Sequence, residues 1–234
     1  MNKTTTIFAF LLVLSMSVCA QEEILEMNPA VDTIEPVKGP NRKHFVHPFM
    51  SFGLCIDAGE TGAQVKQPRV DQFSFGFRYK RRVAEHFAWG WDLAYNVNDF
   101  SLKQDVTKTT PDSILYDRQR MLFYNAQAGL YVRINYGKRG NTLGKYIDLA
   151  GYGDAVIAHT LFTKKRLNDK YNSVARTRLS GLGYFQRLNY GAQVRFGFKK
   201  MIIYGQYRLS DMFYKPENFA ELPRIIAGIQ FSLR

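Results

Sequence analysis

Large apolar side chains recur at every second position over most of this chain, and that spacing constrains the fold more than any other feature. In residues 73–79, Phe73, Phe75 and Phe77 fall on one side of an extended backbone, with serine and glycine between them. Successive side chains of a β-strand point to opposite faces, so the alternation predicts strands with one apolar face. The pattern begins near residue 45 and continues to the end of the sequence, which predicts an all-β fold.

Eight segments follow the alternating pattern, and an even number of strands is typical of bacterial outer-membrane barrels. They lie at about residues 46–57, 73–79, 87–97, 122–136, 145–157, 184–198, 201–213 and 225–233. Long connections at about 58–69, 100–118, 158–180 and 214–222 alternate with short ones at 81–85, 137–144 and 199–200. Long loops on one side and short turns on the other are the asymmetry of a barrel that spans the outer membrane.

The apolar face is predicted to be the outer one, because an eight-stranded barrel is too narrow to contain it. Such a barrel has an interior that side chains fill or that holds one small ligand, so a soluble lipocalin-like barrel would be overfilled. Outward apolar surface of this extent is tolerated in lipid. The residues predicted to face lipid include Phe73, Phe75, Phe77, Trp89, Trp91, Leu130, Val132, Phe196, Ile229 and Phe231. The predicted fold is therefore an eight-stranded antiparallel transmembrane β-barrel of the outer-membrane type.

The opposite face is rich in glycine, alanine and serine but also carries charged side chains, which would line the lumen. The predicted lumen polar network consists of Arg78, Asp92, Arg133, Asp148, Asp154, Arg187, Arg195 and Arg208, and Arg224 falls on the same face. Charges in a confined interior must be paired or solvated to offset desolvation. A rigid, salt-bridged plug is the favoured interpretation, and a narrow pore that prefers anions is the alternative.

The first twenty residues have the features of a secretory signal peptide. Lys3 precedes the apolar run 7–14, and Val18 and Ala20 occupy the positions that small residues take before a cleavage site. Cleavage is predicted before Gln21, which gives a signal peptide at 1–20. The apolar run is shorter than the roughly 20 residues of a membrane helix.

Residues 21–44 contain five acids and three prolines with little periodicity, which predicts a flexible acidic tail on the periplasmic side. The barrel is then residues 45–234. The tail could dock on another protein, although a disordered leader is the commoner outcome for such a composition.

The chain resembles the small outer-membrane β-barrel proteins of Bacteroidota, the PorT-like group. The resemblance rests on the signal ending at Ala20-Gln21, on strands of alternating Tyr and Phe with inward Gly, and on the terminal segment Gly228-Ile-Gln-Phe-Ser-Leu233. It covers about residues 45–234. It implies residence in the cell outer membrane and, as in a few relatives, a part in protein secretion, and it implies no catalytic residues. Many outer-membrane proteins end on an aromatic residue, whereas three residues follow Phe231 here.

An enzyme that modifies lipid is a second class to consider, because some eight-stranded outer-membrane barrels modify lipid with Ser, His and an acid near the outer rim. The residues available for this chemistry are His159, Asp154 and either Ser173 or Ser180. No histidines and cysteines have metal-ligand spacing, and no glycine-rich phosphate loop precedes a helix. The sequence therefore predicts a protein that is not an enzyme and holds no cofactor.

The formal net charge of +12 invites comparison with nucleic-acid-binding proteins. Such proteins gather their positive charge on one continuous surface, whereas here it is divided among the short turns, the predicted lumen and one outer connection. In that connection Lys164, Lys165 and Arg166 form a predicted outer basic loop. The expected partners are outer-membrane lipid, the phosphates of lipopolysaccharide or an acidic protein of the envelope or of a secretion complex, and no nucleic acid.

Overall fold

A computed structural model describes residues 39–67, 69–136, 142–167, 173–214 and 219–233 of the chain. The strands are β1 His44–Cys55, β2 Val70–Arg82, β3 Phe87–Leu102, β4 Arg118–Tyr136, β5 Lys145–Arg166, β6 Val174–Ser180, β7 Leu188–Phe198, β8 Met201–Arg208 and β9 Ile225–Ser232. Within the described ranges, no helix is long and apolar enough to cross a membrane. The predicted signal peptide and most of the predicted acidic tail lie outside the described residues.

Eight of these strands close into a barrel, which confirms the predicted all-β, eight-stranded antiparallel architecture. The order around the barrel is β1, β2, β3, β4, β5, β7, β8 and β9, and β9 pairs again with β1. Closure gives every barrel strand a partner on both sides, so the barrel wall has no open edge of the kind that promotes aggregation.

The two ends of the barrel differ in the length of their connections. The connections 56–69, 103–117, 167–187 and 209–224 meet at one end, which we call the loop end. The short connections 83–86, 137–144 and 199–200 meet at the opposite end, the turn end, where β1 begins and β9 finishes. The alternation of long and short connections is therefore as predicted.

The third long connection is not a loop throughout, which corrects the prediction for its basic residues. Strand β5 continues to Arg166 and forms a hairpin with β6, so Lys164, Lys165 and Arg166 occupy the last positions of a strand. On its other side β5 stays paired with β4 as far as Arg118. Strands β4, β5 and β6 thus form a three-stranded sheet beyond the barrel wall. All seven residues of β6 are exposed, so no apolar periodicity marked it in the sequence.

Exposure alternates along the barrel strands as the pleat of a sheet requires. Every residue predicted to face lipid lies exposed on the outer surface of the barrel. The exposed apolar residues lie on all sides of the wall, whereas arginine, aspartate, glutamine and asparagine are buried inside it. The molecule therefore has an apolar exterior and a largely polar interior, the reverse of a water-soluble barrel.

Inward tyrosines lie against inward glycines of the neighbouring strand. Tyr146 on β5 is opposite Gly197 on β7, and Tyr131 on β4 is opposite Gly90 on β3. A Cβ atom added at Gly197 would overlap the ring of Tyr146, and one added at Gly90 would lie 2.6 Å from the Tyr131 hydroxyl. Glycine at these positions lets large rings fold flat against the inner wall of a narrow barrel.

Candidate functional site

The centre of the lumen holds a network in which arginines and aspartates alternate. Arg133 donates from Nε and a terminal nitrogen to the two carboxylate oxygens of Asp148, at 2.7 and 2.8 Å. Arg195 donates to Asp92 at 2.7 Å and lies 3.9 Å from Asp148, which joins the two pairs. Arg78 reaches Asp92 at 3.5 Å. These five side chains are almost completely buried, so the interaction of each charge depends on its protein neighbours.

Aromatic rings surround the network and stabilise its excess positive charge. The guanidinium carbons of Arg78, Arg133 and Arg195 lie 5.6, 5.4 and 5.2 Å from the ring centroid of Tyr131. Arg133 also lies 3.5 Å from the ring centroid of Tyr146. A cation over an aromatic face is attracted by the ring quadrupole, and more strongly where water is excluded. Three arginines can therefore share two aspartates in this interior.

Two further predicted lumen residues are buried but lie outside this network, nearer the loop end. Asp154 accepts a hydrogen bond from the Asn96 amide at 3.4 Å. Arg208 pairs with Glu221 at 3.0 Å and also donates to the backbone carbonyl of Leu222 at 2.9 Å. Glu221 comes from the irregular connection 209–224, where the sequence has no periodicity from which to predict an inward position.

Arg187 does not line the lumen, and its predicted position is wrong, whereas Arg224 borders the interior cavity beside Asp154 and Arg208. Arg187 is exposed, and its backbone carbonyl accepts the Val156 N–H at 2.8 Å. Arg224 is half-buried at the rim and pairs with Asp211 at 2.6 Å. Arg187 immediately precedes β7, which begins at Leu188. Side-chain alternation applies only within a strand, and the predicted segment 184–198 begins four residues before the observed strand, so the alternation does not hold at Arg187.

An apolar cap closes the lumen at the loop end. Phe185 from one connection packs edge-on against Phe123 of β4, with centroids 4.8 Å apart, and tilted against Phe213 of another connection at 5.3 Å. The Glu221 carboxylate anchors the last connection by accepting the N–H groups of Met212 at 2.9 Å and Phe213 at 3.3 Å. The other main members of the cap are Val65, Phe100, Leu102, Met121, Leu161 and Leu222.

Little space is left between the network and the cap. One cavity beside Arg78 and Asp92 has a volume of about 10 Å³, and another beside Asp154 and Arg208 has about 20 Å³. A cavity needs roughly 10–15 Å³ to hold one water molecule. Each of the two therefore accommodates about a single water, which is far less than a hydrated ion needs in transit.

No protein-family profile matches this sequence. A search of curated proteins likewise finds no significant match.

The residues considered for a lipid-modifying enzyme are not arranged as a catalytic triad. Asp154 points into the lumen, whereas the ring of His159 lies against Phe185 at the rim, with centroids 4.9 Å apart. The two residues are five positions apart on one strand, or roughly 15 Å at the rise of a β-strand. An acid must hydrogen-bond to the histidine in order to orient it. Within the described ranges no cluster of His, Cys, Asp and Glu could hold a metal ion.

Proposed function

We propose that this chain is an outer-membrane β-barrel that does not conduct ions and serves as a structural or interaction subunit of an envelope or protein-secretion assembly. The filled interior is the observation that supports this proposal. A buried ion-pair network occupies the centre of the lumen, and an apolar cap covers the loop end. A conducting pore needs a continuous polar path, which the packed cap and the small cavities do not provide.

The placement in the membrane is supported by the apolar outer wall. Strand β7 has 11 residues, and a transmembrane strand needs about 9–11. In this proposal the loop end faces outward and the turn end faces the periplasm, as in other outer-membrane barrels. The signal peptide is removed before Gln21, and the acidic tail then remains on the periplasmic side.

The role in an assembly is supported by the loop end and by the resemblance to the PorT-like group. Described residues of three of the long connections pack into the cap, and the sheet of β4, β5 and β6 adds a raised wall beside it. A surface that is already ordered loses little conformational entropy when a partner binds.

Recording in planar bilayers tests the non-conducting part of this proposal. We expect insertion of the purified protein without resolved current steps. A reproducible open level that favours chloride would replace the plug with the anion-preferring pore.

Affinity purification from gently solubilised outer membranes, followed by mass spectrometry, tests the assembly. We expect a defined set of envelope proteins to co-purify with the barrel. This set should be lost when residues 21–44 are deleted or when the exposed residues of the β4–β5–β6 sheet are substituted. Recovery of the barrel alone, in every mild detergent that is tested, would contradict the assembly role. A further measurement compares the intact lipids of a deletion strain with those of its parent. A difference between the two lipid profiles would favour the lipid-modifying enzyme instead.

A further inference from the structure

The outward face of the sheet formed by β4, β5 and β6 carries a group of cations in register with one another. Arg118 on β4 is opposite Lys164 on β5, which is opposite Arg176 on β6. Two residues closer to the barrel along each strand, Arg120 and Arg178 lie on either side of Phe162. We call these cations the basic flank: Arg118, Arg120, Lys164, Arg176 and Arg178.

Few acids balance the basic flank. Asp99 of β3 accepts from Arg120 Nε at 2.9 Å, but the same carboxylate also pairs with Arg69 at 2.6 Å. Among the described residues, the other four cations of the flank have no ion pair within 4.0 Å. A groove of about 350 Å³ opens between Arg120, Arg176 and Arg178. This part of the surface can therefore accept an anionic group without first breaking existing pairs.

A lateral cleft adjoins the flank where β5 exchanges one neighbour for another. Strand β5 pairs with β7 as far as Ala155 and with β6 from Thr160 onward. The cleft left between these two ladders has a volume of about 900 Å³ and is lined by Arg178, Arg187 and the apolar Ile157, among others. Since Arg178 lines both the groove and the cleft, the two form one continuous basic site at the rim.

A smooth groove runs down the outer wall on the same face of β5. Gly151 and Gly153 point outward, and a Cβ atom added at Gly151 would meet no atom within 4 Å. Opposite Gly153 lies Ala128 of β4, and opposite Gly151 lies Ala192 of β7. This wall groove has a volume of about 690 Å³ and is bordered by larger residues such as Trp91. At about 3.4 Å per residue, Gly151 is roughly 20 Å along the strand from Ile157 in the cleft.

We propose that this side of the barrel binds a phosphorylated lipid of the outer leaflet, with its phosphate on the arginines of the rim and an acyl chain in the wall groove. Arginine binds phosphate through paired, charge-assisted hydrogen bonds. An acidic protein would be attracted to the cations as well, but it would not use an apolar groove that lies further along the same outer face of β5, within the wall. The lipid site rests on the proposed placement in the outer membrane and adds the ligand class and the residues that recognise it.

The test uses the full mature protein in neutral detergent micelles, titrated with diphosphoryl lipid A and followed by native mass spectrometry. Arg176→Glu/Arg178→Glu should weaken binding about tenfold or more, because each arginine loses charge-assisted hydrogen bonds. Lys66→Glu/Lys103→Glu is the matched control, since it makes the same charge change at exposed positions of the loop end. We expect this control to change the affinity by no more than about twofold, as a remote, screened charge would.

A second pair of variants tests the wall groove. Gly153→Val places two methyl groups in the groove, and the nearest atom to its Cβ would be 3.9 Å away, so the barrel should fold normally. We expect it to lower the affinity for lipid A severalfold. Gly205→Val on β8, where an added Cβ meets nothing within 4 Å, is the control and should leave the affinity unchanged.

Several results would overturn the lipid site. If both charge-reversal pairs weaken lipid A binding equally, the attraction is electrostatic and has no specific site. If inorganic phosphate displaces lipid A completely and Gly153→Val has no effect, the cations form an anion site without an acyl-chain groove. Heat-modifiable mobility and protease protection in vesicles are measured separately for every variant. A barrel that inserts but does not retain lipid A contradicts this inference and leaves the proposed function intact, whereas a barrel that fails to insert contradicts the proposed function itself.

Discussion

The guanidinium of Arg133 lies 3.5 Å from the ring centroid of Tyr146 while it also holds both carboxylate oxygens of Asp148. Arg133 and Asp148 are direct cross-strand partners, and Tyr146 lies two residues before Asp148 on the same strand. One side chain of β4 is thus fixed by an ion pair and by an aromatic ring of β5. This contact is the most completely buried junction between the two strands.

Asp148→Asn should destabilise the barrel by about 3 kcal/mol or more, because it leaves buried arginines without their counter-charge. The measurement is the free energy of unfolding in urea, with the protein inserted in lipid vesicles. Glu85→Gln, in an exposed turn, is the control and should fall within about 0.5 kcal/mol of the wild type.

The double variant Arg133→Met/Asp148→Asn tests whether the two charges stabilise the barrel as a pair. Removing both members of a buried ion pair is less costly than removing one. The double variant should therefore lose less stability than the sum of the two single variants. Strictly additive losses would argue that the two residues act independently.

Gly197→Ala should cost about 1–3 kcal/mol, because the new methyl group overlaps the Tyr146 ring and forces the packed interior to shift. Gly205→Ala points into open space, so it should be neutral or slightly stabilising through lower chain entropy in the unfolded state. Unfolding in urea compares the two directly. Equal effects of the two substitutions would mean that the contact with Tyr146 does not determine the need for glycine.

Most of the barrel was predictable because each strand has two chemically different faces. Alternation alone placed Arg78, Asp92 and Arg195 on the same side of the wall as Gly90, and the structure brings the three charges together at the centre of the lumen. What alternation could not provide was the pairing partner of each charge, since this depends on barrel closure and on which strands face each other across the lumen.

The cap and the β5–β6 hairpin were not predictable by the same reasoning. Phe185 and Glu221 lie in irregular connections, where no period relates one side chain to the next. Strand β6 is exposed on both faces, so a segment with Arg176 and Arg178 reads in sequence like an ordinary charged loop. In both places the backbone is organised by tertiary contacts that leave no local pattern.

Fluorescence quenching should show whether the outer wall contacts lipid, since Trp89 and Trp91 are the only two tryptophans. Both are exposed on the outer face of β3, with Trp89 closer to the turn end. Brominated acyl chains should quench both tryptophans. Bromines near the bilayer centre should quench Trp91, measured alone in the Trp89→Phe variant, more strongly than Trp89, measured alone in Trp91→Phe. Strong quenching by aqueous iodide instead would mean that this wall faces water.

Glu221→Ala should loosen the cap without opening the barrel wall. The substitution leaves the N–H groups of Met212 and Phe213 and the guanidinium of Arg208 without their carboxylate partner. Hydrogen exchange at the two amides should accelerate about tenfold, in line with the loss of a buried hydrogen bond. Amides of β3 and β4 should exchange at the wild-type rate.

Asp105→Ala is the matched control for the cap. The Asp105 carboxylate accepts hydrogen bonds from the backbone N–H and the hydroxyl of Thr107, at 3.2 and 2.7 Å. Its removal should leave exchange at Met212 and Phe213 unchanged. Acceleration by both substitutions would indicate that the loop end opens as a whole and that Glu221 has no particular part in holding it.

The sheet of β4, β5 and β6 rises on one side of an otherwise regular cylinder, and this gives the molecule a front and a back. A smooth barrel in a bilayer can rotate about the membrane normal and present equivalent surfaces in every direction. Here a neighbour that arrives from the side of the raised sheet meets a wall, cations and a cleft, whereas one that arrives from the side of β1 and β9 meets only the apolar wall. In the proposed membrane placement, lateral encounters are thereby restricted to particular directions before any specific contact is made.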